Sequence, residues 1–193
     1  LEVTPRFLHW LPYRSITQVE YDALLVRALE NLSRSVQTEQ WGTNLMEWCQ
    51  YLKYLFALKY PMSLALRARM ARFFYELAVM PNLDASLTEM AATICVHLLS
   101  PKQQISIKDL ELPWKPLYHV LEHAVRHKQR RIGSSSIAGV LLDLAECCQR
   151  FFPASEASAM LEAMLPNLDG HDLNSVISVQ ALLVHFLPLS KPD

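Results

Sequence analysis

The sequence predicts an all-α chain, an α-α superhelix of about four antiparallel helix pairs, on three observations. Apolar residues recur at helical spacing from one end of the chain to the other. Only 4 of the 193 residues are glycine, against a usual ~7%, and glycine is what tight hairpins and phosphate-cradling loops need. Prolines follow directly after apolar runs, at Met80-Pro81, Ser100-Pro101, Phe152-Pro153, Leu165-Pro166 and Leu187-Pro188. A residue that lacks an N–H and clashes with the preceding turn stops a helix there.

Ser15-Ile16-Thr17-Gln18 reads as a capping box, opening a first helix whose stripe is Tyr21, Leu24, Leu25, Ala28, Leu29 and Leu32. A second helix is expected over about 43–58, with Leu45, Trp48, Cys49, Leu52, Leu55 and Phe56 on its main face. Tyr51, Tyr54 and Leu58 widen that face, which predicts packing on two sides. Ser63 caps a third helix carrying Leu66, Met70, Phe73, Phe74 and Leu77, with Arg67, Arg69 and Arg72 opposite. Ser86-Leu87-Thr88-Glu89 reads as a second capping box, ahead of Met90, Ala91, Ile94 and Leu98. After a connector from Pro101 to Asp109, a fifth helix is expected from about Pro113 to Arg130, a sixth from Ser136 to Phe152, a seventh from Ser155 to Leu165 and an eighth from Asp172 to Leu187.

Pair starts near 17, 63, 112 and 155 recur every ~40–50 residues, the HEAT and armadillo period, which favours a solenoid over a compact bundle. Val96-His97-Leu98-Leu99-Ser100-Pro101 echoes Val184-His185-Phe186-Leu187-Pro188. The eighth helix has little polar face, whereas a terminal solenoid helix needs a polar outer side. Residues 1–193 therefore read as a single segment of a longer helical array, and the start at Leu1 reads as an excised piece.

Hydrophobic residues make up 51% and charged residues 19% of the chain, enough to bury a sizeable core. The net charge of −1 hides an asymmetry: residues 1–132 carry 16 basic and 12 acidic side chains, residues 133–193 carry 2 and 7. Neither part is extreme enough to predict nucleic-acid or membrane binding. Cys49, Cys95, Cys147 and Cys148 form no CxxC and lie in apolar stretches, so reduced thiols are expected.

Few residues suggest chemistry. His119, His123 and His127 fall at i, i+4 and i+8, and two histidines at i, i+4 can hold a metal from one helix face. Leu117, Val120, Leu121 and Ala124 take the buried stripe, however, and the HExxH arrangement is missing. A solvated face with no metal is the expectation. Arg126, Lys128, Arg130 and Arg131 form a basic helix end that the macrodipole accounts for without an anionic partner. Ser134, Ser135 and Ser136 are N-cap candidates outside any GxSxG elbow. His97 and His185 read as ordinary, partly buried histidines near helix ends. No nucleophile, base and oxyanion hole come together, so no catalytic residue and no cofactor are expected.

The most distinctive segment is Leu110-Glu111-Leu112-Pro113-Trp114-Lys115-Pro116-Leu117-Tyr118. Its prolines suit the first turn of a helix, and Trp114, Leu117 and Tyr118 would anchor that turn against the neighbouring pair. With Asp109 in front, it resembles the DLxLPWxPLY signature of the giant single-chain proteasome activators, the bleomycin-sensitivity family also called proteasome activator subunit four. Leu11-Pro12-Tyr13, Arg72-Phe73-Phe74-Tyr75-Glu76-Leu77, Cys148-Gln149-Arg150-Phe151-Phe152-Pro153, Met160-Leu161-Glu162 and Phe186-Leu187-Pro188 are similar to family segments in the same order. The stretch from Val125 to Ser135 departs from the family pattern.

The resemblance implies an N-terminal portion of a HEAT-like solenoid that caps the 20S proteasome core particle over its α-ring. It also implies help in opening the gate, and ATP-independent breakdown of peptides and of acetylated or unfolded proteins such as histones. The expected setting is nuclear and cytoplasmic, with a link to DNA repair. The family engages the core partly through a C-terminal tail with a penultimate tyrosine, which is not found in the terminal Lys191-Pro192-Asp193. Two other readings stand beside it: a HEAT-type adaptor for transport or kinase scaffolding, and a helical-bundle enzyme with a metal at His119 and His123.

Overall fold

The computed structural model describes residues 16–38, 43–100, 105–126 and 135–168. Among these residues the secondary structure is seven α-helices with short 3-10 turns and no strand. Helix α1 spans Gln18–Gln37, α2 Thr43–Ala57, α3 Leu64–Ala78, α4 Ala85–Leu98, α5 Trp114–Arg126, α6 Ser135–Cys148 and α7 Ala157–Leu168. The expected eighth helix and its apolar face lie outside the described residues.

The capping box of α1 sits two residues later than the sequence suggests. Thr17 is the extended N-cap, its hydroxyl accepting from the Glu20 amide at 3.2 Å while the Glu20 carboxylate accepts from the Thr17 amide at 3.0 Å. Glu20 supplies a charged acceptor at the positive end of the helix dipole. The Gln18 amide is engaged elsewhere, donating to the Pro61 carbonyl at 2.8 Å and to Asp22 at 3.0 Å. The predicted stripe faces inward: Tyr21, Leu25, Ala28, Leu29 and Leu32 are buried, and Leu24 is partly so.

Helix α2 buries two sides, as its wide apolar arc requires, with Trp48, Cys49, Tyr51, Leu52 and Leu55 all inside. It ends at Ala57, and two residues on Lys59 takes the left-handed conformation (φ 59°) usual for glycine at this position. Helix α3 begins where Ser63 predicts, the serine hydroxyl accepting from the Leu66 amide.

Helix α4 begins at Ala85 with Asp84 as its N-cap, so Ser86 lies inside the first turn and the Ser86–Glu89 capping box does not form. The earlier start adds Leu87 to the stripe of Ala91, Ile94 and Leu98, and burial of that stripe outweighs one cap bond. Residues 105–113 then form a strap with a turn at 107–109, whose Ile105, Leu110 and Leu112 are buried.

Past α5, two further boundaries differ from expectation. Helix α6 ends at Cys148 and tightens into a 3-10 turn over Gln149–Phe151, ahead of Pro153. Helix α7, preceded by a 3-10 turn at Ala154–Glu156, continues through Pro166 to Leu168. A proline costs the bond from its own nitrogen, and the last turn can close around that gap.

The helices pack as pairs, α1 with α2, α3 with α4 and α5 with α6. The second member of each pair carries the stacking, since α4 packs on α2 on one side and on α6 on the other. Contact between successive first helices is marginal by comparison. One continuous core runs from Tyr21 on α1 to Met164 on α7. This is the α-α superhelical arrangement of a HEAT-like array, in which each pair buries its open face only against its neighbour.

Candidate functional site

The Asp109–Tyr118 segment is built into the wall. Leu110, Leu112, Trp114, Leu117 and Tyr118 are each at most 2% exposed, so the predicted anchor is in place. Two polar links hold the strap where the solenoid turns into α5. The Leu112 amide donates to the Phe151 carbonyl at 3.0 Å, tying the strap to the end of α6, and the Tyr75 hydroxyl of α3 donates to the Pro113 carbonyl. Pro113 has no N–H to give, and its carbonyl is bonded by the preceding pair instead. Burial drives the Tyr75 phenol pKa far up, so it stays a neutral donor. The Trp114 ring lies 6.0 Å from the Tyr118 ring, with the Lys115 ammonium 6.0 Å from its centre.

The histidines fall where the helical phase puts them. His119 and His123 lie on the exposed face of α5, opposite the buried Leu117 and Leu121. His127, Lys128, Arg130 and Arg131 lie outside the described residues, as do Ser134 and His185; Arg126 is the last residue of α5 and Ser135 the first of α6. No group of three potential metal ligands occurs among the described residues.

His97, near the end of α4, is exposed rather than partly buried as expected, and its ring stacks on Phe56 of α2 with ring centres 5.4 Å apart. Partial desolvation first, and the Arg67 charge second, lower its pKa. The cysteines are free thiols, and three are fully buried. Burial pushes the Cys49 thiol up to about 12, and raises those of Cys147 and Cys148. The Cys95 thiol donates to the Ala71 carbonyl at 3.4 Å. These are packing residues, because a nucleophilic thiol needs a stabilised thiolate.

Arg67 departs from its expected place. It sits in the α3–α4 interface at 8% exposed, with one terminal nitrogen 3.4 Å from the Leu98 carbonyl and its Nε unpaired. Desolvation lowers its pKa, partly opposed by Tyr21. The Leu98 carbonyl, at the negative end of the α4 dipole, offers the buried cation partial negative charge.

Arg69 and Arg72 do point to solvent, and they line a groove that helical spacing did not reveal. Its walls are α3 and the strap, its lining is Ala65, Ala68, Arg69, Arg72 and Asp109, and its volume is about 430 Å³. The only sequence sign of it is a pair of alanines at i, i+3 beside the two arginines.

No family model matches the chain. Among curated proteins it is similar to "Proteasome activator complex subunit 4" of Xenopus laevis (29% identity over 187 residues), Bos taurus (30% over 189) and Homo sapiens (29% over 187). Each alignment covers 94% of this chain and 10% of the relative, so the chain spans about a tenth of the length of the proteins it matches. That alignment and a wall of paired helices anchored by the DLxLPWxPLY-like strap agree: the sequence relatives of this chain are the proteasome activator complex subunit 4 family, which it resembles along nearly its whole length.

Proposed function

We propose that the chain is one section of the wall of a proteasome activator that caps the 20S core particle over its α-ring. In this reading it promotes gate opening and ATP-independent breakdown of peptides and of acetylated or unfolded proteins such as histones, in the nucleus and the cytoplasm. The observation that carries the proposal is sequence relatedness over 94% of the chain to proteins named as proteasome activators. The work of such a wall is steric and allosteric. Stacked pairs present an extended surface, and small rotations between neighbours set its curvature. The tight packing of α2, α4 and α6, against the marginal contact of α1, α3 and α5, is the asymmetry that bends a solenoid.

The test is made on the full-length parent, mixed with latent 20S core particles. Fluorogenic-peptide hydrolysis and native-gel migration are read together, with the 193-residue chain as control. Stimulated hydrolysis and a capped band are expected with the parent and not with the chain. A parent that neither binds nor stimulates the core would overturn the proposal and leave a HEAT-type adaptor as the reading.

A further inference from the structure

We propose that the groove between α3 and the 105–113 strap is a docking site for an acidic peptide segment of a partner protein, held by Arg69 and Arg72. Both guanidiniums are exposed, lie one helical turn apart on the same side of α3, and form no ion pair among the described residues. A guanidinium presents a planar fork that receives a carboxylate through two parallel hydrogen bonds. Two such forks one turn apart suit successive acidic side chains on one strand. Ala65 and Ala68 form the floor, and with only a methyl group on each, a peptide backbone can lie close to the helix.

The opposite wall selects the class of ligand. Asp109 lines the groove, and its carboxylate can accept a backbone N–H, which a peptide carries and a phosphate backbone does not. Two cations are also far fewer than the run of basic side chains that tracks a phosphate backbone. Ile107, 63% exposed, and Lys108 stand in the turn just before Asp109, closed by the Asp109 amide on the Ser106 carbonyl at 3.0 Å. The groove therefore suits a peptide that carries successive carboxylates. The buried Leu110, Leu112 and Trp114 keep this wall in position.

The experiment is fluorescence anisotropy with the 193-residue chain and a fluorescein-labelled peptide of sequence Glu-Asp-Glu-Leu-Glu-Asp-Glu, at low and at physiological salt. Binding that weakens with salt is expected. A doubly charge-reversed variant, Arg69→Glu with Arg72→Glu, should weaken it at least tenfold. The single reversal Arg27→Glu, on the exposed face of α1, should change it less than twofold. Both positions are exposed, so far-UV circular dichroism and the melting temperature should stay at wild-type values. No saturable binding, equal weakening by Arg27→Glu, or full displacement by inorganic phosphate at matched ionic strength would each overturn the proposal. The outcome is independent of the proteasome assay, because no core particle is present.

Discussion

Replacing Trp114 with alanine tests whether the strap is an anchor of the wall or a passive connector. The indole is 1% exposed and is the largest fully buried side chain among the described residues. A buried aromatic of this size removes about 200 Å² or more from water, worth about 5 kcal/mol at ~25 cal/mol per Å². Two corrections reduce this. Alanine keeps about 1 kcal/mol of burial, and the indole N–H, which has no acceptor, ceases to incur a desolvation cost of about 1 kcal/mol. The net loss is about 3 kcal/mol, at the lower end of the usual range for such truncations. For a chain of this size it corresponds to a fall in melting temperature of about 6–12 °C. Urea unfolding followed by circular dichroism measures it. Trp114→Phe, which keeps most of the ring and removes the unpaired N–H, should lose no more than about 1.5 kcal/mol. A loss below about 1 kcal/mol for the alanine variant would refute the anchoring argument, since the cavity would then have collapsed without consequence.

Arg67→Met should leave stability unchanged or raise it by about 1 kcal/mol, because the thioether fills the stem's volume without a buried charge; a large loss on urea unfolding would show that the Leu98 contact matters more than its geometry suggests. His97 has a folded-state pKa below its unfolded value, so its neutral form is favoured in the fold and stability falls as pH drops from the unfolded value of 6.5 through the lower folded one. His97→Phe should flatten that part of the stability profile between pH 7.5 and 5.5, and an unchanged slope would place the pH dependence elsewhere. Under native conditions at pH 8 a thiol reagent should modify Cys147 before Cys49, Cys95 and Cys148, which are buried; peptide mapping by mass spectrometry reads the order, and early labelling of Cys49 would contradict the packing of α2.

How much was legible depended on how local the determining interactions are. A helix stripe repeats every few residues, so Tyr21 to Leu32 on α1, the Ser63 cap and the solvent face of His119 and His123 follow from spacing along one element. The buried anchor at Trp114 was legible for the same reason, since aromatic and aliphatic residues after a helix-starting proline have few other places to go. Helix starts were less so. Ser86 and Glu89 have the capping-box spacing, yet burial of Leu87 begins α4 earlier, and the choice at α1 between Gln18 and Glu20 turned on Pro61, more than forty residues away.

The all-helical class, the pairing period and the resemblance to proteasome activators can be read from the chain's order of residues, because each is written in a short repeat or a contiguous motif. The fate of the polar side chains on α3 is settled by packing between elements instead. Arg67, Arg69 and Arg72 look alike in the sequence, but α4 packs over the first and the strap stands beside the other two. One arginine is thereby a buried cation at a helix end and two are the wall of an open groove. Helical phase says which way a side chain leaves its own helix; whether protein or water waits there depends on elements thirty or more residues along the chain.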